Sequence, residues 1–84
     1  MGLIEEVKAR IRELGGCSAA TTMAEALASA CSLDYAVSFF AISVRLDKRN
    51  NELVSRLMHI SREDDFSNAD QDLAISWLRN NNYI

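Results

Sequence analysis

The residues best suited to chemistry in this 84-residue chain are one histidine and two cysteines, His59, Cys17 and Cys31. Structural zinc motifs usually supply their ligands as close pairs, whereas these residues are separated by fourteen (17 to 31) and twenty-eight (31 to 59) positions. No serine, cysteine or acid stands at a spacing that would define a catalytic triad with His59. We therefore expect no metal, no cofactor and no catalytic activity.

Two charged stretches could instead bind a partner. The basic stretch contains Arg45, Lys48, Arg49 and Arg56, and the acidic run is Glu63, Asp64 and Asp65. The basic stretch could meet phosphate or an acidic protein, and the acidic run could serve as a docking patch, but solvated loops have the same composition. Twelve acidic residues against nine Lys and Arg give a net charge of -3, which argues against a dedicated nucleic-acid binder. Consecutive carboxylates also lack the alternating spacing of a calcium loop.

The aromatic pair Phe39 and Phe40 is the third candidate site. Neighbouring positions on a helix point roughly 100° apart, so one small core has difficulty covering both side chains. An uncovered phenylalanine would mark a contact with another protein or with a second copy of the chain. The alternative is that a further helix covers the pair.

Apolar spacing and capping residues predict the helices that carry these residues. Ile4, Val7, Ile11 and Leu14 recur at helical spacing, and the glycines at 15 and 16 end that first helix. The pattern Thr22 to Glu25 is a capping box, which predicts a slim, alanine-rich inner helix over residues 23–31. Ser67 and Asp70 predict the start of a last helix over residues 68–79, which buries Leu73, Ala74, Trp77 and Leu78. The three asparagines at 80–82 end it, and Tyr83 and Ile84 fold back on the core.

The segment between these helices is ambiguous. Residues 33–46 fit a helical stripe, yet they also alternate as a strand would and are rich in β-branched and aromatic side chains. A strand there would make residues 37–60 a β-hairpin. Residues 52–60 have adjacent apolar pairs four apart, which is helical periodicity, and this favours helices for both segments.

The sequence as a whole predicts an all-α fold, with residues 1–84 forming one domain of four or five helices. The chain contains no proline and three glycines, which favours helices with short connections. The longest run that is nearly free of charge is too short to span a bilayer, and the start of the sequence lacks the positive charge of a secretory signal. We expect no membrane contact, two reduced thiols and a cytoplasmic location.

Residues 4–43 resemble a ubiquitin-associated domain, a module of three helices. The likeness lies in the glycine turn at 14–18, in a second helix ending near Leu27, and in the acid, Ala-Val pair and bulky residues at Asp34, Ala36, Val37, Phe39 and Phe40. In that family the turn normally reads Met-Gly-Phe and forms much of the ubiquitin-binding surface. This turn departs from the pattern, so the resemblance implies the fold without the ligand.

Two weaker resemblances give alternative functions. Leu27, Ala28, Leu33 and Val37 are similar to the paired helices of helix-turn-helix regulators, which implies DNA binding. Ser32, Leu33 and Asp34 are similar to the modification site of acyl carrier proteins, which implies a phosphopantetheine arm on Ser32.

The function that we expect is a non-catalytic protein–protein interaction module. It would act as a small regulator, adaptor or inhibitor, and its partner would be another protein or a second copy of the chain. The alternatives are a DNA-binding regulator of the helix-turn-helix type and an acyl-carrier-like protein modified at Ser32.

Overall fold

The computed structural model describes residues 2–64 and 67–84, and in these ranges the chain forms five α-helices and one 3₁₀ turn. The helices are α1 (Leu3–Leu14), α2 (Ser18–Cys31), α3 (Phe39–Arg45), α4 (Lys48–Leu57) and α5 (Asn68–Asn80), and the turn is Ile60–Arg62. No described residue lies in a strand, which confirms the all-α prediction with five helices. The alternative of a hairpin over residues 37–60 is wrong, because that segment forms α3 and α4.

Helix α2 is the centre of the fold and packs against each of the other four helices. Its Met23, Ala24, Leu27 and Ala28 are completely buried. The alanines keep α2 slim, so neighbouring helices approach it closely on several sides. The prediction that this helix lies inside the bundle is confirmed.

Helix α1 follows its predicted stripe, since Ile4, Val7 and Ile11 are buried against the core. It ends at Gly15, whose φ of 69° lies in the left-handed region that glycine adopts without steric cost. The Gly15 N–H donates to the carbonyl groups of Ile11 and Arg12, and these hydrogen bonds close the helix. The predicted glycine stop is therefore confirmed.

The predicted start of the second helix is wrong. Helix α2 begins at Ser18, five residues before the predicted start at Met23, and its N-cap residue Cys17 makes no side-chain capping hydrogen bond. Thr22 is fully buried in the second turn of α2, where its hydroxyl accepts a hydrogen bond from Arg45 Nη1 at 3.4 Å. The Thr-x-x-Glu pattern therefore lies inside the helix and does not cap it.

The apolar segment 33–46 forms only one short helix instead of a continuous one. Two local caps explain the difference: Ser38 Oγ accepts from Ala41 N at 3.3 Å, and Asp47 Oδ1 accepts from Asn50 N at 2.9 Å. Each cap starts a new helix, so α3 begins at Phe39 and α4 begins at Lys48. The predicted start of the fourth helix at residue 52 is therefore four residues late.

Helix α5 begins as predicted, because Ser67 Oγ accepts from Asp70 N at 3.2 Å, and it ends at Asn80. The chain then folds back, and the rings of Tyr83 and Trp77 lie 5.4 Å apart, which confirms that prediction. The prediction that Leu73 is buried is wrong, since its side chain is 64% exposed. None of the described helices has the length and apolar character needed to cross a membrane.

Candidate functional site at the exposed surface of helix α3

Helix α3 is apolar on nearly every side but packs against the core through one side alone. Ile42 is buried, whereas Phe39 is 74% exposed, Phe40 is 76% exposed and Val44 is 60% exposed. With 3.6 residues per turn, Phe40 and Val44 lie on the side of the helix opposite Ile42, and Phe39 lies between the two sides. A helix that is apolar all round is normally buried, so the outer side of α3 is an unusual surface for a folded chain to leave in water.

A groove lies on the side of α3 that carries Phe39 and Ile42. It lies between α2, α3 and α4, has a volume of about 340 Å³, and none of its lining residues carries a charge. The lining residues are Ala26, Ser29, Ala30, Val37, Phe39, Ile42, Val54, Leu57, Met58 and Ile60. Met58 lies on the α4 side of the groove and is 63% exposed. We call Phe39, Phe40, Val44, Met58 and this groove the α3 surface.

Met58 is held in place by the end of α4. It is the C-cap residue of that helix, and its N–H donates to the carbonyl of Val54 at 3.0 Å. Val54 and Leu57 anchor the same end of α4 in the core. The backbone of Met58 is therefore fixed by the helix while its side chain stays in solvent at the groove.

Two residues of the predicted basic stretch, Arg49 and Arg56, lie in a second groove, between α1 and α4, together with Arg10 and three glutamates. This groove of about 300 Å³ is lined by Glu6, Ala9, Arg10, Glu13, Arg49, Glu52, Leu53 and Arg56. Its three arginines face three glutamates, so the groove has no excess of positive charge. Phosphate binding depends on Lys and Arg side chains whose charge is not balanced by nearby acids, and this groove provides no such excess of positive charge.

Arg56 joins the predicted basic stretch to the predicted acidic run. Its Nη1 lies 2.8 Å from Glu6 Oε2 on α1, and its Nη2 lies 2.5 Å from Glu63 Oε1 after the 3₁₀ turn. The hydrogen bond that Arg56 donates to Glu63 and the charges of both carboxylates raise the pKa of Arg56 above its ordinary value. Arg56 and Glu63 therefore pair with each other within the chain.

The remaining predicted charged residues are spread over different parts of the surface. Arg45 is exposed at the end of α3 and donates to Thr22, and Lys48 is exposed at the start of α4 with no ion pair among the described residues. Asp64 is exposed, and Asp65 lies outside the described residues. The structure does not bring Arg45, Lys48, Arg49 and Arg56 together on one face.

The candidates for chemistry lie on separate elements. His59 is exposed between α4 and the 3₁₀ turn, Cys17 is exposed before α2 and Cys31 is half-buried at the end of α2. Cys17 Sγ donates a hydrogen bond to the carbonyl of Leu14 at 3.3 Å. Over residues 2–64 and 67–84, no three His, Cys, Asp or Glu side chains are grouped where they could hold a metal ion.

The structure places Ser32 in a setting unlike that implied by the carrier-protein resemblance. The resemblance implies a serine that opens a helix, whereas Ser32 is the C-cap of α2 and its Oγ accepts from Asp34 N at 3.1 Å. The helix-turn-helix resemblance implies a connection of about three or four residues. Here α2 and α3 are joined by residues 32–38, and Val37 lies in that connection, outside both helices.

Sequence reasoning singled out Phe39 and Phe40 but missed Val44 and Met58. Val44 could have been recognised from its spacing of four residues from Phe40, which places both on one face of a helix. Met58 gave no such signal, because it continues the apolar pairs that include Val54 and Leu57.

The resemblance of residues 4–43 to a ubiquitin-associated domain stays a prediction. Comparison of the chain with models of known protein families, with curated proteins and with solved structures gave no match.

Proposed function

We propose that this chain is a non-catalytic protein–protein interaction module that binds its partner through the α3 surface. The observation that carries the proposal is the exposure of Phe39 and Met58, which line an uncharged groove, together with that of Phe40 and Val44 on the outer side of α3. As a small domain with one contact surface, it would work as a regulator, adaptor or inhibitor. The two free cysteines suit a reducing compartment, and we propose the cytoplasm.

The energy available at the α3 surface supports this use. Burying one large apolar side chain contributes about 1.5–3 kcal/mol, so two phenylalanines left in water represent a substantial unused gain. Aromatic side chains that fill a pocket on a partner are typical anchors of protein interfaces. A small domain needs nearly all of its apolar side chains for its own core. Six large apolar side chains are exposed among the described residues, and four of the six belong to the α3 surface, which favours a role for that surface in binding.

The groove also indicates the chemistry of the partner. Its lining consists of alanine, aliphatic and aromatic side chains with one hydroxyl, from Ser29. A charged group entering it would lose its hydration without gaining an ion pair, which is strongly unfavourable. The partner segment that enters the groove therefore presents apolar side chains.

Site-specific photo-cross-linking tests the proposal. A photoreactive phenylalanine analogue replaces Phe39, Met58 or, as the control, Leu73, in cells that produce the protein. Leu73 is as exposed as Met58 but lies beside a different cavity, between α1 and α5. We expect the same identified protein, either a second copy or a different chain, to cross-link at positions 39 and 58 but not at 73. Equal cross-linking at all three positions, or none at 39 and 58, would contradict the proposal.

A further inference from the structure

We infer that Glu63 is a positioning residue for the groove of the α3 surface, because its ion pair with Arg56 holds the segment that forms one wall of that groove. None of the residues that line the groove carries a charge, yet the order of this wall then depends on salt. The role of the wall in partner binding rests on the proposed function, whereas its dependence on Glu63 is a property of the isolated chain.

The ion pair encloses the residues that form this wall. Three of the residues that line the groove are Leu57, Met58 and Ile60. They lie between Arg56, in the last turn of α4, and Glu63, directly after the 3₁₀ turn. A change in the distance between the two charged groups would therefore move the backbone that carries these lining residues.

The backbone hydrogen bonds within the 3₁₀ turn are short-range. The His59 N–H donates to the carbonyl of Arg56 at 3.0 Å, the Arg62 N–H donates to that of His59 at 2.9 Å, and the Glu63 N–H donates to that of Ile60 at 3.0 Å. Each of these bonds joins residues three apart, and bonds of this kind have poorer geometry than those of an α-helix. The ion pair joins residues seven apart and so ties together the two ends of the segment.

Arg56 contacts two carboxylates, and their surroundings differ. The Glu63 side chain is 21% exposed, whereas that of Glu6 is 46% exposed. Water and salt therefore screen the Glu63 pair less than the Glu6 pair. Glu6 belongs to α1, so its pair with Arg56 joins two helices and does not constrain the turn. Of the two carboxylates, only Glu63 holds the groove wall.

Hydrogen exchange of the amides in the turn tests the inference. Glu63→Gln keeps the size of the side chain but removes its charge, so the ion pair is lost. We expect the exchange rates of the His59 and Arg62 amides to rise about two- to fivefold at low salt, which is the range for a partly exposed ion pair. The rise is limited because Ile60 still anchors the segment in the core. Nuclear magnetic resonance of the isolated chain measures both rates.

Glu6→Gln is the matched control, because it removes the other carboxylate from the same arginine. The His59 and Arg62 exchange rates should be the same in this variant as in the original chain. Circular dichroism checks that both variants fold.

Salt repeats the test without a substitution. Raising the salt concentration from about 0.01 M to about 1 M shortens the Debye length from about 30 Å to about 3 Å. Because Arg56 is 48% exposed, the rates in the original chain should approach those of the Glu63→Gln variant at high salt. The amide of Asn82, which donates to the carbonyl of Arg79 in the turn after α5, is the reference for any general effect of salt on exchange.

Three results would overturn the inference. They are unchanged rates in the Glu63→Gln variant, equal increases in the Glu6→Gln and Glu63→Gln variants, and rates in the original chain that do not respond to salt relative to Asn82. The cross-linking experiment decides the proposed function separately. Absence of cross-links at positions 39 and 58, together with the expected exchange rates, would contradict the proposed function and leave the role of Glu63 standing.

Discussion

The guanidinium of Arg56 and the carboxylate of Glu63 lie 2.5 Å apart, so the basic stretch and the acidic run form an ion pair within the chain. Arg56 also reaches Glu6 on α1, 50 residues away in sequence. The pairing ties the end of α4 and the following turn to α1. Two of the charged residues predicted to bind a partner, Arg56 and Glu63, are therefore paired with each other within the chain.

The ion pairs of Arg56 should make a small contribution to stability. Its side chain is 48% exposed, so water and salt screen both pairs. Arg56→Ala should lower the free energy of unfolding by about 0.5–1 kcal/mol at low salt, and by less at high salt. Urea unfolding monitored by circular dichroism gives the values, with Lys48→Ala as the unpaired control. An Arg56→Ala effect that is the same at low and high salt would show that the ion pairs are not its cause.

The two glycines after α1 should differ sharply when replaced. Gly15 has a φ of 69°, whereas Gly16 lies outside the positive-φ region, and neither has a neighbour that an added methyl group would meet. Gly15→Ala should therefore cost about 1–3 kcal/mol of unfolding free energy because of backbone strain. Gly16→Ala should be neutral or slightly stabilising, because alanine lowers the conformational entropy of the unfolded chain relative to glycine. Thermal unfolding of the two variants measures the difference. Equal unfolding midpoints would contradict the positive φ of Gly15 in the turn after α1.

Asn50 and Asn51 are adjacent on α4, yet leucine substitutions should have opposite effects at the two positions. Asn50 is buried and its Oδ1 has no hydrogen-bond partner in the described structure. Asn50→Leu removes that unpaired acceptor and should stabilise the fold by about 1 kcal/mol. Asn51 Nδ2 donates to the carbonyls of Leu46 at 2.9 Å and Asp47 at 3.0 Å, so Asn51→Leu should destabilise the fold. Denaturant midpoints of the two variants should lie on either side of the original value, and a shift of both in the same direction would count against this assignment.

The last residues should stabilise the pairing of α1 and α5. Lys8 and Arg12 of α1 lie over the ring of Trp77 at 5.6 and 5.2 Å, and Tyr83 packs against the same ring. Tyr83→Ala should lower the unfolding free energy by about 1–2 kcal/mol. It should also change the emission of Trp77, the single tryptophan of the chain, whereas Asn80→Ala should leave the emission unchanged. An unchanged spectrum in the Tyr83 variant would show that the rings are not in contact in solution.

The fold was largely predictable because local signals and tertiary packing agree over most of the chain. The stripe of α1, the stop at Gly15 and the cap at Ser67 each act within a few residues, and each is present in the structure. The start of α2 was mispredicted because the pattern Thr-x-x-Glu is typical of a capping box, and the sequence does not show that Thr22 is buried inside the helix. The break before α3 was missed because the apolar periodicity of residues 33–46 concealed the cap at Ser38.

The candidate site was only partly predictable, because exposure depends on how the helices pack. Phe39 and Phe40 could be predicted because they are adjacent in the sequence, and adjacent residues of a helix cannot both face one small core. That Met58 is exposed while Val54 and Leu57 are buried depends on how α4 lies against α2. The pairing of Arg56 with Glu6 likewise requires the two helices to be neighbours, and no sequence spacing indicates that contact.

Hydroxyl-radical footprinting tests most directly whether the α3 surface is a contact surface. Oxidation of Phe40 and Met58 is compared between the dilute isolated protein and the same protein inside the cells that produce it, with Leu73 as the internal reference. The interaction account predicts that Phe40 and Met58 are strongly protected in cells while Leu73 stays reactive in both conditions. Oxidation of Phe40 and Met58 in cells at the same rate relative to Leu73 as in dilute solution would contradict it.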